Sequence, residues 1–360
     1  MKAWAEARTE SRTIPPWRGE RRAGSCASLA LAGSLALASI AGVAGADDPV
    51  IADKMAGAAS AREEEATDAS AALVWSAGLY AEGDSEGGLG GVADLAWFVG
   101  ERNQLYLGAS YADTTRNLSG LSTRGFTLGG AHDFGAVGLD AWYDAWTDPD
   151  AVTARSVNAA IDVGAGGWTF TFTGQLRRSD FETFAADAEV TLRTGAQVHV
   201  VAAADCDLDN SGIGLRLGYD AGRWRVDARG MTYSYAEAEC DFSSPALDYL
   251  RRTRPAVFRQ FARQVTAPLS TSAMTWIGAE NALLDRSWGG GVAFDAGRVE
   301  YAFNYLALVE HFDGLESDSV SASATVEVGR SLQVLLTGGY SEGDRLDPAW
   351  LGGLGLRWEF

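Results

Sequence analysis

The chain has 360 residues, 43 of them glycine, and its 48 Asp and Glu against 29 Lys and Arg give a formal net charge of -19. That acidic surplus leaves no electrostatic footprint for a nucleic-acid backbone, and three cysteines exclude a disulfide-rich scaffold and a four-cysteine metal site. The 47% apolar content comes in short pieces, which suits either a soluble core or a sheet whose apolar face looks into lipid.

Lys2, Arg8, Arg12, Arg18, Arg21 and Arg22 precede an Ala/Leu/Gly run, CASLALAGSLALASIAGVAGA, that ends at Ala44-Gly45-Ala46. A basic region, an apolar stretch and a small-residue site predict a signal peptide over residues 1–46, cleaved after Ala46. The remaining 314 residues hold 23 basic and 45 acidic side chains. Residues 47–70 read as an extension ahead of the main domain, 71–360. No later stretch offers about 18 consecutive apolar residues, so no further transmembrane helix is expected.

From residue 71 the pattern has period two. In Trp168-Thr-Phe-Thr-Phe-Thr-Gly-Gln-Leu-Arg177, the residues Trp168, Phe170, Phe172 and Leu176 share one face, and Thr169, Thr171, Thr173, Gln175 and Arg177 share the other. Predicted strands run at 71–80, 89–99, 103–112, 124–134, 136–146, 153–163, 167–178, 182–193, 196–204, 211–219, 223–235, 284–295, 298–310, 317–328, 331–341 and 351–360. The fold class is therefore all-β, an antiparallel barrel of about 16 strands. Fourteen to eighteen stays open because 236–283 resists parsing. Short turns such as Asp220-Ala-Gly-Arg223 and Asp295-Ala-Gly-Arg298 alternate with longer, acidic connections such as 113–124 and 205–211. Short connections on one rim and long ones on the other distinguish a membrane barrel from a sandwich.

Parity turns Asp94, Asp140, Asp144, Asp187, Glu189 and Glu300 inward, together with Arg177, Arg193, Arg216, Arg223, Arg225, Arg229 and Arg357. Arg216, Arg223, Arg225 and Arg229 form a basic wall. His199 is also read as inward, near Asp187 and Glu189, while His132 points outward. Asp205, Asp207 and Asp209 alternate as carboxylates do in calcium loops, but the glycine at position six is missing, so they are weak metal candidates beside the reading as a solvated acidic turn. Cys206 and Cys240, in successive long-rim loops, are placed for a disulfide in an exported protein. Residues 236–283 carry Arg251, Arg252, Arg254, Arg259 and Arg263; this segment either folds inward as a constriction, adds strands or stays a solvated loop.

The chain finishes Gly353-Leu-Gly-Leu-Arg-Trp-Glu-Phe360, with Leu354, Leu356, Trp358 and Phe360 on one face. Here it resembles bacterial outer-membrane β-barrel proteins of the general porin-like class, whose last strand commonly ends in an aromatic residue read by the barrel-assembly machinery. The resemblance implies a multi-pass barrel in the outer membrane of a Gram-negative cell, with 47–70 periplasmic and with lipid and lipopolysaccharide as surroundings. It also implies ion or small polar solute transport through the pore, and it fits a homo-oligomer. No cofactor is expected, and nothing in the sequence makes it an enzyme. The competing readings are a structural or surface-interaction barrel without a wide pore, and a hydrolase using a lumenal histidine.

Overall fold

The computed structural model describes residues 73–360 apart from 86, 101, 115–120, 149–151, 192–194, 257, 260–268, 271–282, 313, 330 and 345–347. Its elements follow in the order β1 (Leu73–Asp84), β2 (Leu89–Val99), β3 (Asn103–Thr114), β4 (Leu121–Asp133), β5 (Val137–Asp148), β6 (Val152–Ala165), β7 (Trp168–Thr191) and β8 (Gln197–Asp220). Then come β9 (Trp224–Tyr235), β10 (Glu239–Ser243), α1 (Pro245–Thr253), β11 (Leu284–Asp295), β12 (Val299–Glu310), β13 (Glu316–Val328), β14 (Leu332–Gly343) and β15 (Ala349–Glu359). Neighbours pair antiparallel around a ring. β8 pairs with β9 and β9 with β11, and β1 with β15 completes the circuit. β10 lies outside the ring, paired along the upper part of β8. The architecture is thus a closed barrel of fourteen strands.

Fourteen rather than sixteen strands result because four of the expected strands are two long ones. β7 and β8 each run for 24 residues. The stretch 179–181, read as a turn, continues β7, and 205–211, read as a loop, continues β8. One extra residue on β7 between Phe181 and Phe184 makes a bulge, which swaps the faces of the β7 residues beyond it while β8 keeps its alternation.

Turn chemistry explains the short rim. In both Asp-Ala-Gly-Arg turns the glycine takes a positive φ, 77° at Gly222 and 94° at Gly297. Its N–H donates to the aspartate two residues earlier, at 2.8 Å and 2.6 Å, so the side chain closes the turn.

Alternation puts Leu79, Leu105, Leu128, Phe172, Ile213 and Phe303 on the exposed outer surface. Tyr80, Gln104, Thr127, Asn158 and Asn304 are buried on the inside. Outward aromatic pairs gather at two levels. Trp75–Trp97, Trp168–Tyr219 and Trp224–Phe294 ring the short-turn end, with centroids 5.0, 4.6 and 4.6 Å apart. Trp288–Tyr305 and Tyr340–Trp350 ring the other, at 5.2 and 5.0 Å. Ten residues separate Trp350 from Phe360, which at about 3.3 Å per residue and a tilt of about 40° is roughly 25 Å, the height of a lipid-facing band.

Inside, large tyrosines lie over glycines of the neighbouring strand. Tyr106 on β3 stands opposite Gly129 on β4, and a Cβ at Gly129 would collide with its ring. With that space open, the phenol crosses β4 and donates to Asp140 of β5 at 2.8 Å. Gly129→Ala is therefore expected to cost about 1–3 kcal/mol in urea unfolding of the micelle-refolded protein. Gly338→Ala, with only a backbone oxygen 3.9 Å from the added carbon, should unfold like the wild type. Equal midpoints for both variants would refute the packing.

Candidate functional site

The interior wall divides into sectors of different charge. On β5 and β6, Asp140, Asp144 and Asp162 are held by neutral donors. Tyr106 bonds Asp140, Thr127 bonds Asp144 at 2.7 Å, Asn158 bonds Asp144 at 2.8 Å, and Thr171 bonds Asp162. Gln175 on β7 donates to Asn158 at 2.9 Å, so a hydrogen-bonded girdle spans β4 to β7. Shared low-dielectric surroundings strengthen such a chain and fix its side chains. Asp144 is fully buried in it.

The next sector, β8 and β9, carries Arg216, Arg225 and Arg229. Arg216 and Arg229 are direct cross-strand partners, and the wall is not purely basic. Asp227, on the same face as Arg225 and Arg229, lies 3.5 Å from Arg216. Arg225 reaches past β11 to Glu300 of β12. Parity alone could have found Asp227, two residues from each arginine. On the remaining arc, Arg357 and Asp94 both stand opposite Gly78 and meet at 3.4 Å across it. β13 contributes Ser319 and Ser321, both buried.

Strands about 4.8 Å apart, fourteen of them at a tilt of about 40°, close into a cylinder roughly 28 Å across between backbones. Side chains and the upper cover narrow that space.

The cover begins with β7 and β8, which outrun their neighbours: β6 pairs with β7 only as far as Phe181. Beyond the bulge, Phe184, Ala186, Ala188 and Val190 of β7, with Val200, Ala202 and Ala204 of β8, present a buried apolar inner face. The segment between β9 and β11 packs on it through Leu247 of α1, Phe258 and Leu269. Trp146, Val152 and Phe312, from the upper ends of other strands and loops, join the same cluster. Cys206 and Cys240 form a disulfide and are register partners. They sit in strands β8 and β10 rather than in loops.

Several residues lie away from the interior. Asp187 and Glu189 are on the exposed outer face of the extended hairpin, because the bulge reverses parity there. His199 shares that face, 3.2 Å from Asp187, with side chains 60% and 61% exposed. Arg223 is exposed in the short turn between β8 and β9. Arg251, Arg252, Arg254 and Arg259 are exposed, while the apolar side of their segment meets the cluster. Arg193 and Arg263 lie outside the described residues, as does the signal-peptide segment. Asp205, Asp207 and Asp209 are spaced along strand β8, not around a loop, and Arg178 holds Asp207 at 2.5 Å. Among the described residues no group of three His, Cys, Asp or Glu side chains is arranged to hold a metal ion.

No protein-family model and no curated protein sequence matches the chain. Solved structures do. OpdK of Pseudomonas aeruginosa with vanillate is 9% identical, with 80% of this chain and 98% of that one covered, at a TM-score of 0.38. CymD, a monoaromatic hydrocarbon channel, is 8% identical over 80% and 88%, at 0.45. A loop-deletion mutant of OmpT, an outer membrane protein of Vibrio cholerae, is 12% identical over 81% and 100%, at 0.36.

Proposed function

We propose that the protein is an outer-membrane channel for passive diffusion of small polar or charged solutes. The observation that carries this reading is the closed ring with an apolar exterior about one lipid band high and a charged interior. Backbone groups facing lipid must all be paired, and closure satisfies them without an edge. The chain would be a multi-pass barrel inserted by the assembly machinery, with Leu354, Leu356, Trp358 and Phe360 as its terminal signal, and 47–70 in the periplasm after removal of 1–46.

Selectivity follows from the sectors. Acid on β5–β6 and arginine on β7–β9 set up a field across the pore, which orients a dipolar solute as it passes. Asp140 and Asp162, partly exposed and hydrogen-bonded to neutral groups, attract mobile cations, while Asp227 and Glu300 offset two of the arginines. In a planar bilayer under a salt gradient, Asp140→Asn/Asp162→Asn is expected to move the reversal potential toward anion preference. Arg229→Gln should move it the other way. A reversal potential indifferent to all three changes would overturn the sector account, and absence of any conductance would overturn the channel. The apolar cover over the mouth favours a second reading, a barrel without a wide pore, and the same recording decides between them.

A further inference from the structure

We propose that the arginines at the upper outer edge of β4, β6 and β7 form a docking surface for the phosphate groups of a phosphorylated lipid of the outer leaflet. The inference rests on the reading of the exterior as lipid-facing. On each of these strands the outward side chain following the last large apolar one is an arginine: Arg124 after Phe126, Arg155 after Val157, Arg178 after Leu176. All three arginines are exposed. Charge thus begins one outward position above the apolar band, at the level a phosphorylated headgroup occupies.

Arg155 and Arg178 are direct cross-strand partners. Arg124 stands opposite Thr147, and Thr147 opposite Thr153, so Arg124 and Arg155 flank β5 two residues out of step. Between them β5 offers only Ala145 and Thr147 on its outer side, which leaves a shallow recess. Tyr111 lies opposite Arg124 and adds an exposed ring beside it. Like charges set directly across a strand pair repel, an arrangement that an anion bridging them relieves.

Four carboxylates border the group, and one of them, Asp209, is the direct cross-strand partner of Arg178 on β8. Asp180 and Asp207 are held by Arg178, at 3.1 Å and 2.5 Å, and Asp113 accepts from Tyr111 at 3.4 Å. Among the described residues no ion pair holds Arg124 or Arg155. Elsewhere on the ring the same level is acidic: Tyr305 donates to Asp318 at 2.7 Å and Tyr340 to Glu342 at 3.0 Å. Arg124 and Arg155 therefore mark the phosphate-attracting part of the perimeter, with Arg178 at its acidic border, and the arc of Asp318 and Glu342 is the phosphate-repelling part. Arg286, beside Trp288 on β11, is an outward arginine away from the cluster. A lipid engages the arginines and the apolar row beneath them together, through headgroup and acyl chains. Free phosphate meets only exposed, salt-screened charge, so the lipid is the ligand this surface fits.

The full-length mature protein, refolded in neutral detergent, would be mixed with bisphosphorylated lipid A or its dephosphorylated counterpart, and retained lipid counted by native mass spectrometry. Wild type is expected to keep the bisphosphorylated form. Arg124→Gln/Arg155→Gln/Arg178→Gln should lose it about tenfold, with heat-modifiable gel mobility and bilayer conductance unchanged. Asp318→Asn/Glu342→Gln should retain lipid as wild type does. Equal retention by the folded arginine variant would overturn the site alone. So would equal binding of dephosphorylated lipid, or displacement by millimolar inorganic phosphate. Failure of the wild type to insert into any bilayer would instead overturn the membrane reading, and the site with it.

Discussion

Replacing residues 239–282 by a short glycine–serine linker, together with cutting the β7–β8 hairpin back to the level of Phe181, is expected to raise single-channel conductance severalfold. Both parts must go. The hairpin's inner face and the segment that packs on it are apolar partners in one cluster, and removing either alone would leave the other exposed and prone to aggregate. The magnitudes also decide what reduction of the disulfide does. A crosslink spanning 34 residues stabilises by about 4 kcal/mol through chain entropy. Burial of Phe184, Val190, Val200, Leu208, Leu247 and Leu269 contributes about 1.5–3 kcal/mol each, as an upper estimate. The apolar contact therefore outweighs the crosslink, so reduced protein should keep its cover docked and its conductance close to that of the oxidised form. The double truncation should not. Planar-bilayer recordings of the three preparations settle the matter: conductance unchanged by truncation would mean that the cover does not limit the pore.

Much of this barrel is legible in the sequence because period two survives wherever one face meets an apolar medium. β5 and β12 read directly, Val137, Leu139 and Tyr143 against Asp140 and Asp144, Tyr301 and Phe303 against Glu300 and Asn304. Difficulty begins where the medium changes along a single strand. Above Leu176 and Ile213 the outer face of β7 and β8 turns from apolar to acidic, and the inner face turns from polar to apolar because a cover packs on it. Asp205, Asp207 and Asp209 therefore look like loop residues, although Cys206 and Leu208 between them are buried. The bulge at Phe181 compounds this reversal, since one inserted residue leaves no mark on composition yet moves Asp187 and Glu189 to the exterior, while His199 turns outward because β8 keeps one unbroken alternation with Arg216. Ala186 and Ala188, which unbroken alternation would turn toward lipid, face Leu247 and its neighbours in the cover cluster instead. No local pattern announces a partner that lies about sixty residues away in sequence. The wall pairs differ again. Arg216, Arg225 and Glu300 are visible as charges, but that Arg225 meets Glu300 depends on β11 lying between β9 and β12 with small residues at the crossing, Ala293 and Ala302.

Arginine scanning of the wall has the largest expected effect on assembly, and depth ranks the outcomes. Leu107 faces outward on β3, four residues above Asn103 and four below Tyr111, opposite Leu95 and Leu128. This is the middle of the band, where an arginine facing lipid costs about 2–4 kcal/mol. Phe170 also faces outward, but it is one outward position from Trp168 and the lower aromatic ring, where a long side chain can carry its charge to the interface and the cost falls to about 0–1 kcal/mol near the edge. Thr171 points the other way, bonded to Asp162, so a cation placed there meets a carboxylate and interior water. Refolded fraction in lipid vesicles, read by heat-modifiable mobility, should accordingly be lowest for Leu107→Arg, intermediate for Phe170→Arg and close to wild type for Thr171→Arg. The order discriminates more sharply than any single value: a soluble protein with the same sheet would tolerate an exposed arginine at Leu107 and lose a buried contact at Thr171, which reverses the first and last members of the series.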